Sequence, residues 1–324
     1  MTDEIEIENK NVDQEEVIEE VLDIVSMLPK SVQQRVEKLK QWNDEREDIL
    51  EEYMKDRVLL EKKYGDRFKM LYDFRRDVIA GEMDDAIAEE YKKLKEDEID
   101  DDVVENDDDV VDNDDEIEND DKNDSNLKGI PEFWICAMNN FNILSEHLTE
   151  RDNLCLLHLK DVSCHDFDDG TGFELRFSFD EKKNPFFSNQ VLVKRYEVPN
   201  LLLDEEPILK HVEGCTIEWK SDDMCLTQQQ VVKKQRSVSG QNAGQVRTVS
   251  KMERCDSFFH FFSPPTMPSV SNMNEEEVNQ IEEEFELDFD IAQAFRTHLI
   301  PKAVSWFTGE AIDEEIVDYV EETH

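Results

Sequence analysis

Leu28-Pro-Lys-Ser-Val-Gln-Gln-Arg-Val-Glu-Lys-Leu39 opens a run, ending at Ile79, in which apolar residues recur every three, four or seven positions. Val32, Val36, Leu39, Trp42, Ile49, Tyr53, Leu60, Tyr64, Phe68, Leu71, Phe74 and Val78 trace one stripe of a helix, with the position near Arg46 left polar. No proline falls between Pro29 and Pro131, and Gly65 is the only glycine before Gly81. Ser31 with Gln34 matches a capping box, so the spacing predicts a helix from Ser31 to Ile79. At about 1.5 Å per residue it would be roughly 73 Å long. Such a rod cannot bury its stripe against itself. Each large apolar side chain left in water forfeits about 1.5–3 kcal/mol, so the stripe calls for a partner. Residues 31–81 hold twelve acids and twelve bases, and this neutral surface, with pairs such as Glu51 and Lys55, tolerates close approach of a second copy. Self-association through Val36, Leu39, Leu50, Tyr53, Leu60, Tyr64, Phe68 and Leu71 is the expectation.

The rest of the chain is charged very differently. Of 324 residues, 36 are Lys or Arg and 82 are Asp or Glu, a formal charge of −46. DNA and anionic membranes would repel such a chain, and a polycation would be drawn to it. Residues 1–28 hold ten acids and one lysine, residues 96–124 eighteen acids and only Lys122, and residues 275–324 sixteen acids against Arg296 and Lys302. Between 96 and 124 the scattered Val and Ile residues lack continuity and like charges repel, so this reads as a flexible polyanionic segment. Hydrophobic residues make up 38%, below the share of a wholly globular chain, yet 18 Phe and 4 Trp suffice for one core.

Order resumes at Gly129-Ile-Pro-Glu-Phe-Trp134, where Pro131 suits a first helical turn and Phe133, Trp134, Ala137, Phe141, Leu144 and Leu148 mark one face. Asp168-Asp-Gly-Thr-Gly172 is a turn, after which Phe173, Leu175, Phe177 and Phe179 alternate inward against Glu174, Arg176 and Ser178. Asn184-Pro185 turns again into Val191, Val193 and Lys194-Arg195-Tyr196, and Thr216-Ile-Glu-Trp219 reads as a fourth strand. This antiparallel meander needs a helical layer over one face. Residues 228–251 hold Lys233, Lys234, Arg236, Arg247 and Lys251 and no acid, and the turn-forming Ser239–Gly244 makes them a protruding basic hairpin. Asp256-Ser-Phe-Phe-His-Phe-Phe262 supplies four Phe to plug the core. Asn274 with Glu277 can cap a last helix, whose apolar face is Phe285, Phe289, Ala292, Phe295 and Leu299 and which breaks at Pro301.

No GxSxG, P-loop, HExxH or GxGxxG motif occurs, so nothing points to an enzyme. Cys155-x-x-His158 with Cys164-His165 lacks a standard zinc spacing, and no Asp-x-Asp-x-Asp-Gly loop ends in Glu, so neither metal nor other cofactor is expected. Six cysteines without CxxC, an acidic start and the absence of a long apolar run predict a reduced, soluble, intracellular protein. Ile18, Leu22, Val25 and Met27 fit the spacing of an export signal, and an ordinary amphipathic helix explains them equally well.

Six segments in this order resemble the nucleosome assembly protein family: Leu28–Leu39, Gly129–Trp134, Asn184-Pro-Phe-Phe187, Gly214-Cys-Thr-Ile-Glu-Trp219, Asp256–Pro265 and Ile300-Pro-Lys-Ala-Val-Ser-Trp-Phe-Thr-Gly309. The resemblance implies an α+β fold: a long antiparallel dimerisation helix and an α/β domain whose antiparallel sheet is covered by helices, with disordered acidic segments. The expected division is an acidic segment at 1–27, the dimerisation helix at 28–81 and a helical extension with acidic tract at 82–128. A histone-binding domain at 129–310 carries the hairpin at 228–251, and a short acidic tail follows at 311–324. It also implies a histone chaperone working without ATP, with core histones (and linker histone as a further candidate) and a second copy of the chain as partners. Lys233, Lys234 and Arg236 would be read by a nuclear import receptor, giving a protein that shuttles between nucleus and cytoplasm, with neither nucleic acid nor membrane bound directly. Members commonly end in a long acidic tail. Here Glu310, Asp313, Glu314, Glu315, Asp318, Glu321 and Glu322 are interrupted by apolar residues, and the 96–124 tract is expected to substitute.

For the histone-binding face, Glu282, Glu283, Glu284, Glu286, Asp288 and Asp290 crowd a helix whose other side is held by Phe285 and Phe289, with Glu150 and Asp152 as further contributors. The rival readings are an acidic coiled-coil scaffold and a regulator or inhibitor of another enzyme, the latter also found among relatives of the family.

Overall fold

The first long helix, α1, is Lys30–Ile79. A computed structural model describes residues 25–101, 127–203, 206–236, 246–265 and 275–312, and the chain divides into one unit ending at Glu61 and a second beginning at Lys62. In the first unit the start of α1 differs from the expected capping box. The Pro29 carbonyl accepts from the backbone N–H groups of Val32 and Gln33, and the Gln33 amide donates to the carbonyls of Leu28 and Ser26. Ser31 therefore lies inside the first turn. Leu39, Trp42, Ile49, Tyr53 and Leu60 are exposed in the single chain, while Val36 and Leu50 are half-buried.

The second unit contains the end of α1, where Tyr64, Phe68, Leu71 and Phe74 are likewise exposed. Gly81, with φ 74°, stops the helix: its N–H bonds the Val78 carbonyl and the Glu82 N–H bonds that of Asp77, the pattern of a Schellman cap. A Cβ on Gly81 would sit 2.5 Å from the Gly129 nitrogen, so glycine is needed here for close approach as well as for its backbone angle. Helix α2, Asp84–Asp101, carries its helical geometry into the expected flexible tract as far as Asp101. Its opening acids favour the helix N-terminus, and this corrects the reading of residues 96–101 as unstructured. Residues 102–126 lie outside the described residues.

Helix α3, Phe133–Asn140, starts two residues after Pro131, because Glu132 takes a left-handed turn at φ 62°. At Phe141 the chain turns extended, and α4, Asn142–Ser145, and α5, Glu150–Leu156, follow as short pieces. The sheet is antiparallel in the order β1 (Leu159–Asp166), β2 (Gly172–Phe179), β3 (Val191–Glu197) and β4 (His211–Glu213). Phe173, Leu175, Phe177 and Phe179 are buried as the alternation predicts. Glu174 departs from it, sinking between Arg176 and Arg195, both of which donate to its carboxylate.

The fourth strand is His211–Glu213, not Thr216–Trp219. In the latter segment Asn189 accepts from the Glu218 N–H and donates to the Thr216 carbonyl, and only Trp219 bridges to Phe187. A side chain thus satisfies backbone groups that a strand would have paired. Strands β5 (Gln228–Arg236) and β6 (Val246–Arg254) form the expected hairpin as a separate two-stranded sheet.

The Phe cluster forms a 3₁₀ turn at Phe258–Phe262, with all four Phe buried. The Phe177 ring meets Phe258, Phe261, Phe262 and Phe295 edge-on, at centroid distances of 5.0 to 6.2 Å. Helix α6, Glu275–Gln293, continues as a π-helical segment, Ala294–Leu299, before Pro301 ends it and α7, Ala303–Thr308, begins. Phe133 then stacks on Phe307 at 4.8 Å and Phe141 on Trp306 at 4.4 Å, which closes the helical layer over the sheet. The expected cap residue of α6, Asn274, lies outside the described residues. All six cysteines are free thiols, and among the described residues no helix is long and apolar enough to cross a membrane.

Candidate functional site

Helix α6 presents one face to the core and another to water. Phe289, Ala292, Phe295 and Leu299 are buried and Phe285 is half-buried, while Glu282, Glu283, Glu284, Glu286 and Asp290 are exposed. At 3.6 residues per turn Glu283, Glu286 and Asp290 fall on one outward stripe, with Leu287, half exposed, beside them. An aromatic core holds the inner face, so these carboxylates form an array of fixed spacing. A flexible polyanion has none.

Asp288 is not part of that array. It lies on the same helical side as Phe285 and Ala292 and is buried with its carboxylate fully engaged. Lys194, also buried, forms an ion pair with it and donates to the Phe261 carbonyl as well. The Tyr196 hydroxyl donates to Asp288 Oδ2 at 2.9 Å. Burial pulls the Lys194 amine down to about 8 against the opposing pull of Asp288, and burial pushes the Tyr196 phenol well up. Two patterns in the sequence pointed here: Leu192, Lys194 and Tyr196 share one side of a strand, and Asp288 sits at apolar-stripe spacing from Phe285 and Phe295.

Glu150 and Asp152 open α5 and do not follow a long helix. Glu150 is exposed. Asp152 is buried and completes a capping box with Thr149, while it accepts from the Ser257 hydroxyl at 2.6 Å and from the Phe258 N–H at 2.9 Å. It is a clasp between α5 and the Phe turn, and its carboxylate has no free face for a ligand. Arg151 continues the clasp by donating to the Cys225 carbonyl at the foot of the hairpin.

Lys233, Lys234 and Arg236 fall in β5, their backbones paired with Val249, Thr248 and Val246, while the hairpin tip at 237–245 is outside the described residues. Among the described residues no group of three or more His, Cys, Asp or Glu side chains is placed to hold a metal. Cys155 and Cys164 are kept as thiols by burial, which pushes both well up, and burial lowers the affinity of His158 and His165 for a proton.

A sequence model of the family described as "Nucleosome assembly protein (NAP)" matches residues 34–310. The chain is 36% identical over 294 residues to Nucleosome assembly protein 1;2 of Oryza sativa, an alignment covering 90% of this chain and 71% of the relative. It is 33% identical over 296 residues to Nucleosome assembly protein 1;1 of Nicotiana tabacum, covering 91% and 71% respectively. Among solved structures, Nucleosome Assembly Protein 1 from Plasmodium knowlesi superposes with a TM-score of 0.56 at 28% identity, over 87% of this chain and 98% of that one.

Replacing Asp152 with Ala strips donors of their acceptor inside the domain, and the expected cost is about 2–4 kcal/mol. Glu150→Ala on the exposed side of the same turn should stay within about 0.5 kcal/mol. Urea unfolding midpoints of the two variants check this; equal midpoints would remove the clasp role from Asp152.

Proposed function

The chain belongs to the nucleosome assembly protein family, and on that premise we propose that it is a histone chaperone whose cargo seats on the carboxylate array of α6. The observation that carries this reading is the placement of Glu283, Glu286 and Asp290 on the outer face of a helix anchored by Phe289 and Phe295. Histones hold DNA chiefly through Lys and Arg contacts to phosphates, an attraction that salt weakens. A fixed array of carboxylates competes for those cations without reproducing the duplex. It screens the histone from nonspecific DNA and yields it where nucleosomal geometry offers more contacts. The exchange is a shift between binding equilibria and consumes no ATP. Glu282, Glu284 and Glu150, exposed beside or apart from the stripe, add to the negative field. The acids of 96–124 supply long-range attraction.

Charge reversal of Glu283, Glu286 and Asp290 to Lys should weaken binding of labelled core histones about tenfold or more even at elevated salt, because contacts are lost and not only steering. Deleting 96–124 should instead slow association and flatten the salt dependence. A titration of both variants across a salt series decides between them. If the deletion abolished binding while the reversal did nothing, the folded unit would be only a carrier for the tract.

The exposed stripe of α1 supports a homodimer. Leu39, Tyr53, Leu60, Tyr64, Phe68 and Leu71 are too many large apolar groups to leave in water when a second neutral copy can cover them. Leu39, Leu50 and Leu60 changed together to Asp should place unpaired charge in that seam. Light scattering is expected to return the mass of one chain; an unchanged dimer mass would refute the assignment.

The basic hairpin supports nuclear import, and with it shuttling between nucleus and cytoplasm, since Lys233-Lys234-Gln235-Arg236 is a cluster of cations in an otherwise acidic chain. Changing Lys233, Lys234 and Arg236 to Ala should shift the protein towards the cytoplasm with its thermal stability intact. Unaltered nuclear entry of a folded variant would leave the cluster as an ordinary basic stretch of strand β5.

A further inference from the structure

The apolar pattern of helix α6 fixes which side turns to the core, but only to within the width of that side. Val278, Ile281, Phe285, Phe289 and Ala292 make one apolar side, Ile291 lies about a third of a turn from its centre, and Leu287 falls close to the opposite face. In the structure Ile291 is buried and Leu287 is left 50% exposed, so the helix does not adopt the roll that would hide Leu287. Carboxylates occur at 282, 283, 284, 286, 288 and 290, on nearly every side, so repulsion from water-exposed neighbours does not select a setting either.

What narrows the setting further is the strand beneath. Lys194 is buried in β3 with no exposed side-chain surface, and Asp288 supplies the carboxylate its charge requires. The same Lys194 amine donates to the Phe261 carbonyl and lies 3.8 Å from the centre of the Phe261 ring, so its position is set by the Phe turn as well as by its strand. Tyr196, two residues on along the same side of β3, shares its one hydroxyl proton between Asp288 Oδ2 at 2.9 Å and the Asp288 carbonyl at 3.2 Å. Asp288 is thus held through its side chain and its backbone at once. A buried ion pair gains little over a well-packed apolar pair, because desolvation offsets most of its attraction, whereas its directionality can specify one register among several.

We propose that Lys194, with Tyr196, is the positioning residue of the carboxylate array: by pairing with Asp288 and no other carboxylate of α6 it sets the roll of the helix and thereby keeps Glu283, Glu286 and Asp290 outward together. This rests on the reading of α6 as the histone-binding face. It assigns a binding role to residues that touch no histone.

The test compares full-length variants by core-histone titration at elevated salt, thermal melting and hydrogen exchange of α6. Lys194→Met with Asp288→Leu removes both charges at similar volume; melting is expected to stay near the wild-type temperature, α6 amides to exchange faster, and histone affinity to fall about tenfold as the array loses its fixed setting. Tyr196→Phe keeps the ring and removes one donor, and should give a smaller loss in the same direction even if the double variant does not fold. Lys194→Arg preserves a cation for Asp288 and should keep most of the wild-type affinity. Wild-type affinity and α6 protection in the double variant, or in Tyr196→Phe, would overturn the proposal. The Glu283, Glu286 and Asp290 reversal serves as control: if it weakens binding and the core variants do not, only the positioning role fails. If the reversal itself leaves binding intact, the α6 reading fails and the positioning role fails with it.

Discussion

A carboxylate can be buried in a chain of formal charge −46 only where neighbouring groups answer it, and the folded unit is organised around places where they do. Glu174 lies between Arg176 and Arg195, whose hydrogen bonds outweigh its burial and hold it below the usual carboxylate range. Asp152 is met by Thr149, Ser257 and the Phe258 N–H. Asp288 is met by Lys194 and Tyr196. Each of these sites joins elements distant in sequence: strand to strand, helix to Phe turn, helix to strand. The inward acids serve as connectors.

Between these connectors the packing is aromatic. Phe177 sits at the centre of four rings drawn from the 3₁₀ turn and the π-helical segment, so the strand, the turn and the end of the long C-terminal helix share one cluster. Edge-on contacts of this kind add to the burial of the rings and fix their orientation. Such rigidity separates the carboxylates of α6 from those of a polyanionic tract with the same composition. An array of fixed spacing discriminates by geometry, whereas a tract discriminates only by net charge. Of the free thiols, Cys155 and Cys225 are buried and serve packing, and partial burial shifts the imidazoles of His158 and His165 towards their neutral forms.

Several elements were legible because their signal is local. The period of the α1 stripe, the inward alternation of Phe173 to Phe179, the hairpin arms and the break at Pro301 follow from the spacing of residues along one segment. Where the reading failed, another group had taken over the backbone. The Asn189 side chain, distant in sequence, satisfies the backbone around Thr216 and Glu218, so no strand forms there, and the Pro29 carbonyl accepts from the N–H groups of Val32 and Gln33, so α1 starts before Ser31 and Ser31 does not cap it.

The same division runs through the candidate surface. Composition alone, with sixteen acids and two bases in the last fifty residues, made the C-terminal helix acidic and its partner cationic, because net charge needs no fold to act. The order of six short motifs identified the family. Which carboxylates face water was decided by tertiary structure. Asp152 and Asp288 carry the same group as Glu150 and Asp290, two residues away in each case, but β3 and the Phe turn place buried partners opposite one member of each pair only. A charge is a property of a residue. Its exposure depends on what the rest of the chain brings against it.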